Sequence, residues 1–231
     1  MAKRTICFTG HRPHKLYGYG CSAWSSNQRL LLRIADEMEA LIAADGGSFQ
    51  GYDFISGGAQ GADQLCFWAV QELKERLART RPDITVRNIV YIPFKGQELL
   101  WPANGNFGQR EYHAMLDRAD VVVDVSGGKR PTTSSTRLMF ARSHAMVDSS
   151  DLLVCIWNEP FIPGASGNRG GTNECVRYAL SHDRRVLVVD LNRHDVYDLD
   201  HTVLLGEEGC AEPAHRRAAP PTPPSMLPTR R

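Results

Sequence analysis

The sequence lacks an excess of charge of either sign. Among its 231 residues, 27 lysines and arginines face 26 aspartates and glutamates, so the formal net charge is +1. Proteins that bind nucleic acid without sequence preference depend on a strongly positive surface. Nucleic acid is therefore not the expected partner, and a small anionic ligand held by a few well-placed groups is the simpler expectation.

Long apolar runs and closely spaced cysteines are also missing. No stretch approaches the roughly 20 apolar residues that span a bilayer, and the opening MAKRTICFTGHRP has too short an apolar run for a signal peptide. No two cysteines have the CxxC spacing of a zinc or redox motif. We therefore expect reduced thiols, no metal, no cofactor, no membrane contact and a cytoplasmic location. The six cysteines are Cys7, Cys21, Cys66, Cys155, Cys175 and Cys210.

Apolar runs alternate with segments of helical periodicity along most of the chain. The runs predict strands at 4–9, 52–56, 85–92, 120–125, 151–157 and 185–191, and the periodic segments predict helices at 28–44, 62–78, 109–118, 134–147 and 172–181. Such alternation is typical of parallel βαβ units, and near-continuous strands such as VLVVDL suit a sheet that is buried on both faces. Residues 1–206 are therefore predicted to form an α/β, Rossmann-like, doubly wound domain with a mostly parallel sheet and helices on both faces.

The composition changes near residue 207. Residues 207–231 are rich in proline and arginine and have no apolar periodicity, so we expect a disordered tail. Its two arginine pairs, at 216–217 and 230–231, could contact a polyanion, but a solvated tail is the preferred interpretation.

Three polar, glycine-bearing segments follow predicted strands: TGHRP at 9–13, SGGAQGAD at 56–63 and NRGGTNE at 168–174. In an open parallel sheet, ligands bind outside the carboxyl ends of the strands. Glycine lets the backbone approach a phosphate closely, and the free N–H groups at a helix start favour negative charge. The predicted ligand-binding residues are Thr9, Gly10, His11, Arg12, Ser56, Gly57, Gly58, Gly61, Asp63, Gly170, Gly171, Thr172 and Asn173.

Each segment also has a purely structural interpretation. A Gly-Gly pair between a strand and a helix can be ordinary turn chemistry, His11 and Arg12 can be surface groups, Asp63 can simply complement a helix dipole, and Thr172 can be only an N-cap. The joint placement of all three segments at one sheet edge favours a shared pocket.

The motifs resemble those of a known superfamily. SGGAQGADQLCFWAV resembles the phosphate-binding signature of the SLOG superfamily, which includes the DNA-processing protein DprA and the Lonely Guy phosphoribohydrolases. MFARSHAMVDSSDLLVCIW, followed by GNRGGTNE, resembles the second half of that signature. TGHRP, together with the pattern PF-x-x-Q-x-x-x-W at 93–101, is similar to the YpsA-like branch. The resemblance covers residues 4–191.

The resemblance implies a Rossmann-like fold that binds a nucleotide or nucleotide-derived ligand, of the ADP-ribose, NAD or nucleoside monophosphate type, as a sensor or processor of a nucleotide signal. It implies that Gly57, Gly58, Gly61, Gly170, Gly171 and Thr172 cradle phosphate and that Asp63 lies near the ribose or caps the helix. Many relatives in the superfamily pair through helices, so a homodimer is a further expectation.

Two other functions stay open. Arg142 matches the arginine that the phosphoribohydrolases use at the glycosidic bond, and Glu174 or Asp63 would supply the carboxylate that such cleavage needs. However, Ser143 stands where those hydrolases have lysine, and Glu174 lies one residue, about 100° of helix, before their glutamate position. A DprA-like binder of single-stranded DNA would need a basic groove, for which Lys129, Arg130 and the tail are the candidates.

Overall fold

The computed structural model describes residues 2–128, 135–158, 170–192 and 195–199. The predicted tail at 207–231 lies outside these ranges, as do Lys129, Arg130 and residues 168–169 of the third glycine-bearing segment. Strands and helices alternate through most of the described residues, in agreement with the sequence pattern. The strands are β1 Lys3–Gly10, β2 Gly51–Ser56, β3 Thr85–Ile92, β4 Val121–Asp124, β5 Leu152–Trp157, β6 Arg185–Asp190 and β7 Val196–Leu199.

The helices begin and end close to the residues that the sequence predicts. Helix α3 has the predicted bounds, whereas α1 begins four residues early. The first turn of α1 buries a polar residue, Asn27, and leaves Trp24 exposed, so this turn does not show the apolar period. The helices are α1 Trp24–Ala44, α2 Ala62–Thr80, α3 Gln109–Arg118, α4 Ser135–Asp148 and α5 Gly170–Ser181, and short 3-10 helices occupy Pro13–Lys15, Cys21–Ala23 and Gln97–Leu100.

The strands form one sheet in the order β4-β3-β2-β1-β5-β6-β7. All neighbouring strands from β4 to β6 are parallel, and β7 pairs antiparallel with β6. The predicted fold class, a mostly parallel doubly wound α/β sheet, is therefore confirmed. The sequence did not predict β7, because four residues that are mostly half-buried are too few to show a period.

Helices cover both faces of the sheet. Phe8 and Phe54 pack with residues of α1 and α2 on one face, where α3 also joins α2 through Tyr112 and Phe67. Their neighbours Cys7 and Ile55 point to the other face and pack with residues of α4 and α5. This alternation follows from the two-residue period of a strand, and it buries the central strands on both sides.

The strand order reverses between β1 and β5. Strands β2, β3 and β4 follow one another on one side of β1, while β5, β6 and β7 lie on the other. In sheets of this kind, a crevice opens outside the carboxyl ends of the two strands at the reversal. Strands β1, β2 and β5 end at this edge with Gly10, Ser56 and Trp157, so the fold brings the ends of these three strands to one place.

None of the described helices combines the length and the apolarity that a membrane span requires.

Candidate functional site

The first glycine-bearing segment is packed tightly where β1 ends. A Cβ atom added to Gly10 would lie 2.5 Å from the Cβ of Ala62 and 2.7 Å from the carbonyl oxygen of Ile156. The Ala62 amide donates to the His11 carbonyl at 3.0 Å, and the His11 amide donates to the Ile156 carbonyl at 3.2 Å. Only glycine at position 10 therefore lets α2 and β5 approach the end of β1 so closely.

His11 connects the two strands at the reversal point. Its side chain is buried, and its Nε2 atom lies 2.6 Å from Oδ1 of Asn158, the first residue after β5. The next residue, Arg12, is half-buried at the carboxyl edge of the sheet. Asn158 was not among the predicted site residues, although its position directly after a buried strand is a signal of the same kind as that of His11.

The second segment, residues 56–63, contains the end of β2, the turn that follows it and the start of α2. Gly58 and Gly61 have φ angles of 65° and 97°, which only glycine adopts without strain. A Cβ atom on Gly57 would lie 1.1 Å from Nη1 of Arg142. The guanidinium of Arg142 therefore rests directly on the backbone of the loop.

Arg142 reaches this loop from α4, on the opposite face of the sheet from α2. Its Nη1 atom donates to Oδ2 of Asp63 at 2.9 Å, and both side chains are about nine-tenths buried. The same Asp63 oxygen accepts the Ala59 amide at 3.2 Å. The pair thus holds the loop closed, and because a buried charge without its partner is costly, it also ties α4 to the start of α2.

Two buried polar atoms at this place have no hydrogen-bond partner among the described residues: the hydroxyl of Ser56 and Nε of Arg142. Leaving a buried donor or acceptor unsatisfied costs about 1–3 kcal/mol. The loop therefore retains hydrogen-bonding capacity that the described residues do not use.

The third segment forms the start of α5. The helix begins at Gly170, two residues before the predicted start, with a φ angle of 87°. The Thr172 hydroxyl donates to the Gly10 carbonyl at 2.8 Å, and Asn173 is buried. A Cβ atom on Gly171 would meet no atom of the described residues within 4 Å. The beginning of α5 is thus attached to the end of β1, and the described part of the chain leaves space beside Gly171.

Cys175 occupies the position that the resemblance aligns with a glutamate. Burial raises the pKa of its thiol to about 12, although a hydrogen bond with Thr9 acts in the opposite direction. The thiol is therefore protonated at neutral pH and does not offer the negative charge of a carboxylate.

The carboxylate of Glu174 contacts residues other than Arg142. Its carboxylate pairs with Arg177 at 2.6 Å and lies 3.6 Å from Nε2 of His144. Among the described residues, the carboxylate in contact with Arg142 is that of Asp63. Of the two carboxylates that the sequence offered as partners for Arg142, the geometry therefore brings Asp63 to it.

The three predicted segments meet at one edge of the sheet. Gly10 contacts Ala62 of the second segment and accepts a hydrogen bond from Thr172 of the third. Within the described ranges, no group of three or more histidine, cysteine, aspartate or glutamate residues is arranged to hold a metal ion. The arrangement brings together glycine backbone, two helix starts and the side chains of Arg12 and Arg142. These groups suit an anion rather than a cation.

Two comparisons with known proteins agree with this architecture. Residues 6–193 match the YspA SLOG family. The chain is also 30% identical over 187 residues to the uncharacterized SPbeta prophage-derived protein YoqJ of Bacillus subtilis (strain 168), a match that covers 76% of this chain and 97% of YoqJ. The family match contains all the segments described above, from the end of β1 to the start of α5, and the chain belongs to the YspA SLOG family.

Proposed function

We propose that the chain binds a nucleotide or nucleotide-derived ligand of the ADP-ribose, NAD or nucleoside monophosphate type at the carboxyl edge of the sheet. The observation that carries the proposal is the Gly57 loop. There an arginine from α4 lies on glycine backbone beside a buried serine hydroxyl that has no hydrogen-bond partner in the described part of the chain. Family membership supports a nucleotide-related function, and the ligand would act as a signal that the protein senses or processes.

The phosphate would be held by backbone at the starts of α2 and α5. The N-terminal N–H groups of a helix are free, and the helix dipole makes that end positive. Gly170 and Gly171 keep side chains away from the amides of α5, and Gly57, Gly58 and Gly61 form the turn on which the Arg142 guanidinium lies. Arg12 and Arg142 would add charge from the carboxyl edge and from α4. The other proposed contacts are Thr9, Gly10, His11, Ser56, Asp63, Thr172 and Asn173.

The unpaired thiols fit a reducing compartment. All five cysteines that the structure describes are free, and the proposal places the chain in the cytosol. Pairing of two copies through their helices stays a prediction.

Cleavage of the ligand's N-glycosidic bond is the second candidate. The observation in its favour is the buried Arg142–Asp63 pair at 2.9 Å, because Asp63 could provide the carboxylate that such a reaction needs. The predicted role of Glu174 is less favoured, since its carboxylate pairs with Arg177 and not with Arg142. Binding of single-stranded DNA has no comparable support, because the balanced charge of the chain offers no basic field.

A thermal-unfolding panel with ADP-ribose, NAD and nucleoside monophosphates tests the proposal. A ligand at about 100 times its Kd adds about 2.7 kcal/mol of stability, which raises Tm by several degrees in a chain of this size. We expect such a rise with at least one nucleotide and none with the corresponding free base. No shift across the panel would contradict the proposal.

The same incubations separate binding from cleavage. Each mixture is analysed by chromatography for free base. Release of base that disappears in Arg142→Ala would make the chain a phosphoribohydrolase, whereas a thermal shift without release would leave it a binding protein.

A further inference from the structure

A separate cleft lies on the face of the molecule that α1 and α2 cover. It has a volume of about 340 Å³ and is bounded by α1, α2, α3 and the loop at Asn106 and Phe107. This size is at the lower end of the range for small-molecule sites. None of the predicted nucleotide contacts lines the cleft, so its chemistry is independent of the carboxyl edge.

Two buried amide side chains line this cleft with unused hydrogen-bonding atoms. Asn27 and Gln64 are 3% and 1% exposed. Neither Oδ1 of Asn27 nor Nε2 of Gln64 has a hydrogen-bond partner among the described residues. Both atoms lie below the accessible surface, so the two side chains are part of the wall of the cleft and are not hydrogen-bonding contacts for a ligand.

Two tryptophans supply the aromatic surface of the cleft. The guanidinium of Arg118 lies 5.4 Å from the ring centroid of Trp68, which is a cation–π distance. Trp24 is 58% exposed and contacts no ring or cation among the described residues. Tryptophan combines a large apolar ring with one N–H donor and is enriched at binding surfaces.

Carboxylates give the cleft an excess of negative charge. Glu72, Glu75 and Glu111 line it, against Arg118 as the basic lining residue. Arg76 neutralises Glu72 at 2.9 Å. Glu75 and Glu111 have no ion-pair partner within the described ranges, so their charge is available to a ligand.

We propose that this cleft binds a small organic cation: an ammonium or guanidinium group on a hydrocarbon stem. The cation lies on the Trp24 ring near Glu111. The stem packs on Leu31 and Leu65, the aliphatic residues that line the cleft.

A matched pair of probes tests the charge requirement. N-acetyl-argininamide has a guanidinium and two amide acceptors, and N-acetyl-citrullinamide has nearly the same shape with a neutral urea. Binding to the full chain is measured by calorimetry and by tryptophan fluorescence. We expect saturable binding of the arginine probe and about tenfold weaker binding of the citrulline probe, because the cation–π contact is lost.

Variants locate the binding. Glu111→Gln should weaken binding of the arginine probe about threefold to tenfold, and Trp24→Leu should weaken it further. Asp117→Asn removes a carboxylate from an exposed position on the same helix, outside the cleft, and should leave the affinity unchanged. Circular dichroism and Tm of each variant establish that it is folded.

Three results would overturn the proposal. The first is absence of saturable binding by the arginine probe, and the second is equal affinity for the two probes. The third is a sedimentation experiment in which the chain is a dimer that Trp24→Leu converts to a monomer, since a second copy would then be the occupant of the cleft. Nucleotide binding is measured separately, and its outcome does not bear on these results.

Discussion

Among single residues, Gly57 is held under the tightest steric constraint at the candidate site. The position of its absent Cβ is 1.1 Å from Nη1 of Arg142 and 2.6 Å from Oδ2 of Asp63. No side chain can be added there without moving the guanidinium. The identity of residue 57 therefore decides whether the Arg142–Asp63 pair can form.

We expect Gly57→Ala to destabilise the protein by about 3 kcal/mol, because the displaced Arg142 leaves Asp63 buried without its partner. Urea unfolding measures the change. Gly20→Ala is the matched control, since its nearest neighbour is a flexible serine hydroxyl at 3.5 Å. A Gly57→Ala protein as stable as this control would show that the guanidinium does not occupy the place the structure gives it.

At the residue scale, the sequence indicated which positions need glycine but not what approaches them. SGG after a strand predicts a close backbone approach at Gly57. The group that approaches, Arg142, comes from α4, and its partner Asp63 is 79 positions away in the chain. The contact between His11 and Asn158 spans 147 positions. Local patterns carry no information about such pairs, because the sheet topology creates them.

At the scale of elements, the bounds of the strands that pair on both sides were predicted to within one residue at either end. Strand β3 has the predicted bounds although its run TVRNIVYI contains exposed residues, and β5, which is buried throughout, differs by one residue. Strand β7 was missed, and β4 is shorter than predicted. Both are edge strands of four residues, and burial on fewer sides leaves a weaker apolar pattern.

A row of charges across β1, β2 and β3 gives an element-scale prediction. Arg87 donates to both carboxylate oxygens of Asp53 at 2.8 Å and 2.6 Å, and Lys3 pairs with the same group. Burial alone would raise the pKa of Asp53, but these hydrogen bonds bring it below its usual value. The pair thus stabilises the fold above the unfolded pKa of about 3.9, and this stability is lost as the pH falls through the lower folded pKa.

Asp53→Asn should therefore cost about 1 kcal/mol at pH 7, a modest figure because Arg87 is half-exposed. The difference from the unmodified protein should shrink at pH 3, which lies below the unfolded pKa of about 3.9, because the unfolded chain then binds a proton at Asp53. Urea unfolding at both pH values measures it. A difference that is equal or larger at pH 3 would mean that the ion pair does not stabilise the sheet.

At the scale of the whole molecule, alternation of strands and helices was enough to predict a doubly wound sheet, but not its strand order. The reversal between β1 and β5 is what gathers the three glycine-bearing segments. The cleft between α1 and α2 could not be predicted either, because its lining is drawn from scattered positions on three helices and a loop. Pockets of this kind depend on packing rather than on motifs.

The part of the chain that matches the family contains most of the strands and helices described above. The family match spans residues 6–193, and the aligned region covers 97% of YoqJ. The three glycine-bearing segments and the cleft both lie within the range that the family model matches.

The most direct test of nucleotide binding at the carboxyl edge of the sheet is a calorimetric titration. ADP-ribose, NAD and a nucleoside monophosphate are each titrated into the unmodified chain and into Gly171→Ala. The added methyl group meets no atom of the described residues within 4 Å, and Gly171 has no positive φ angle, so Tm without ligand should not change. We predict at least about tenfold weaker binding by Gly171→Ala, because the methyl group keeps phosphate away from the start of α5. Equal affinity of the two proteins, or no binding by either, would contradict the account.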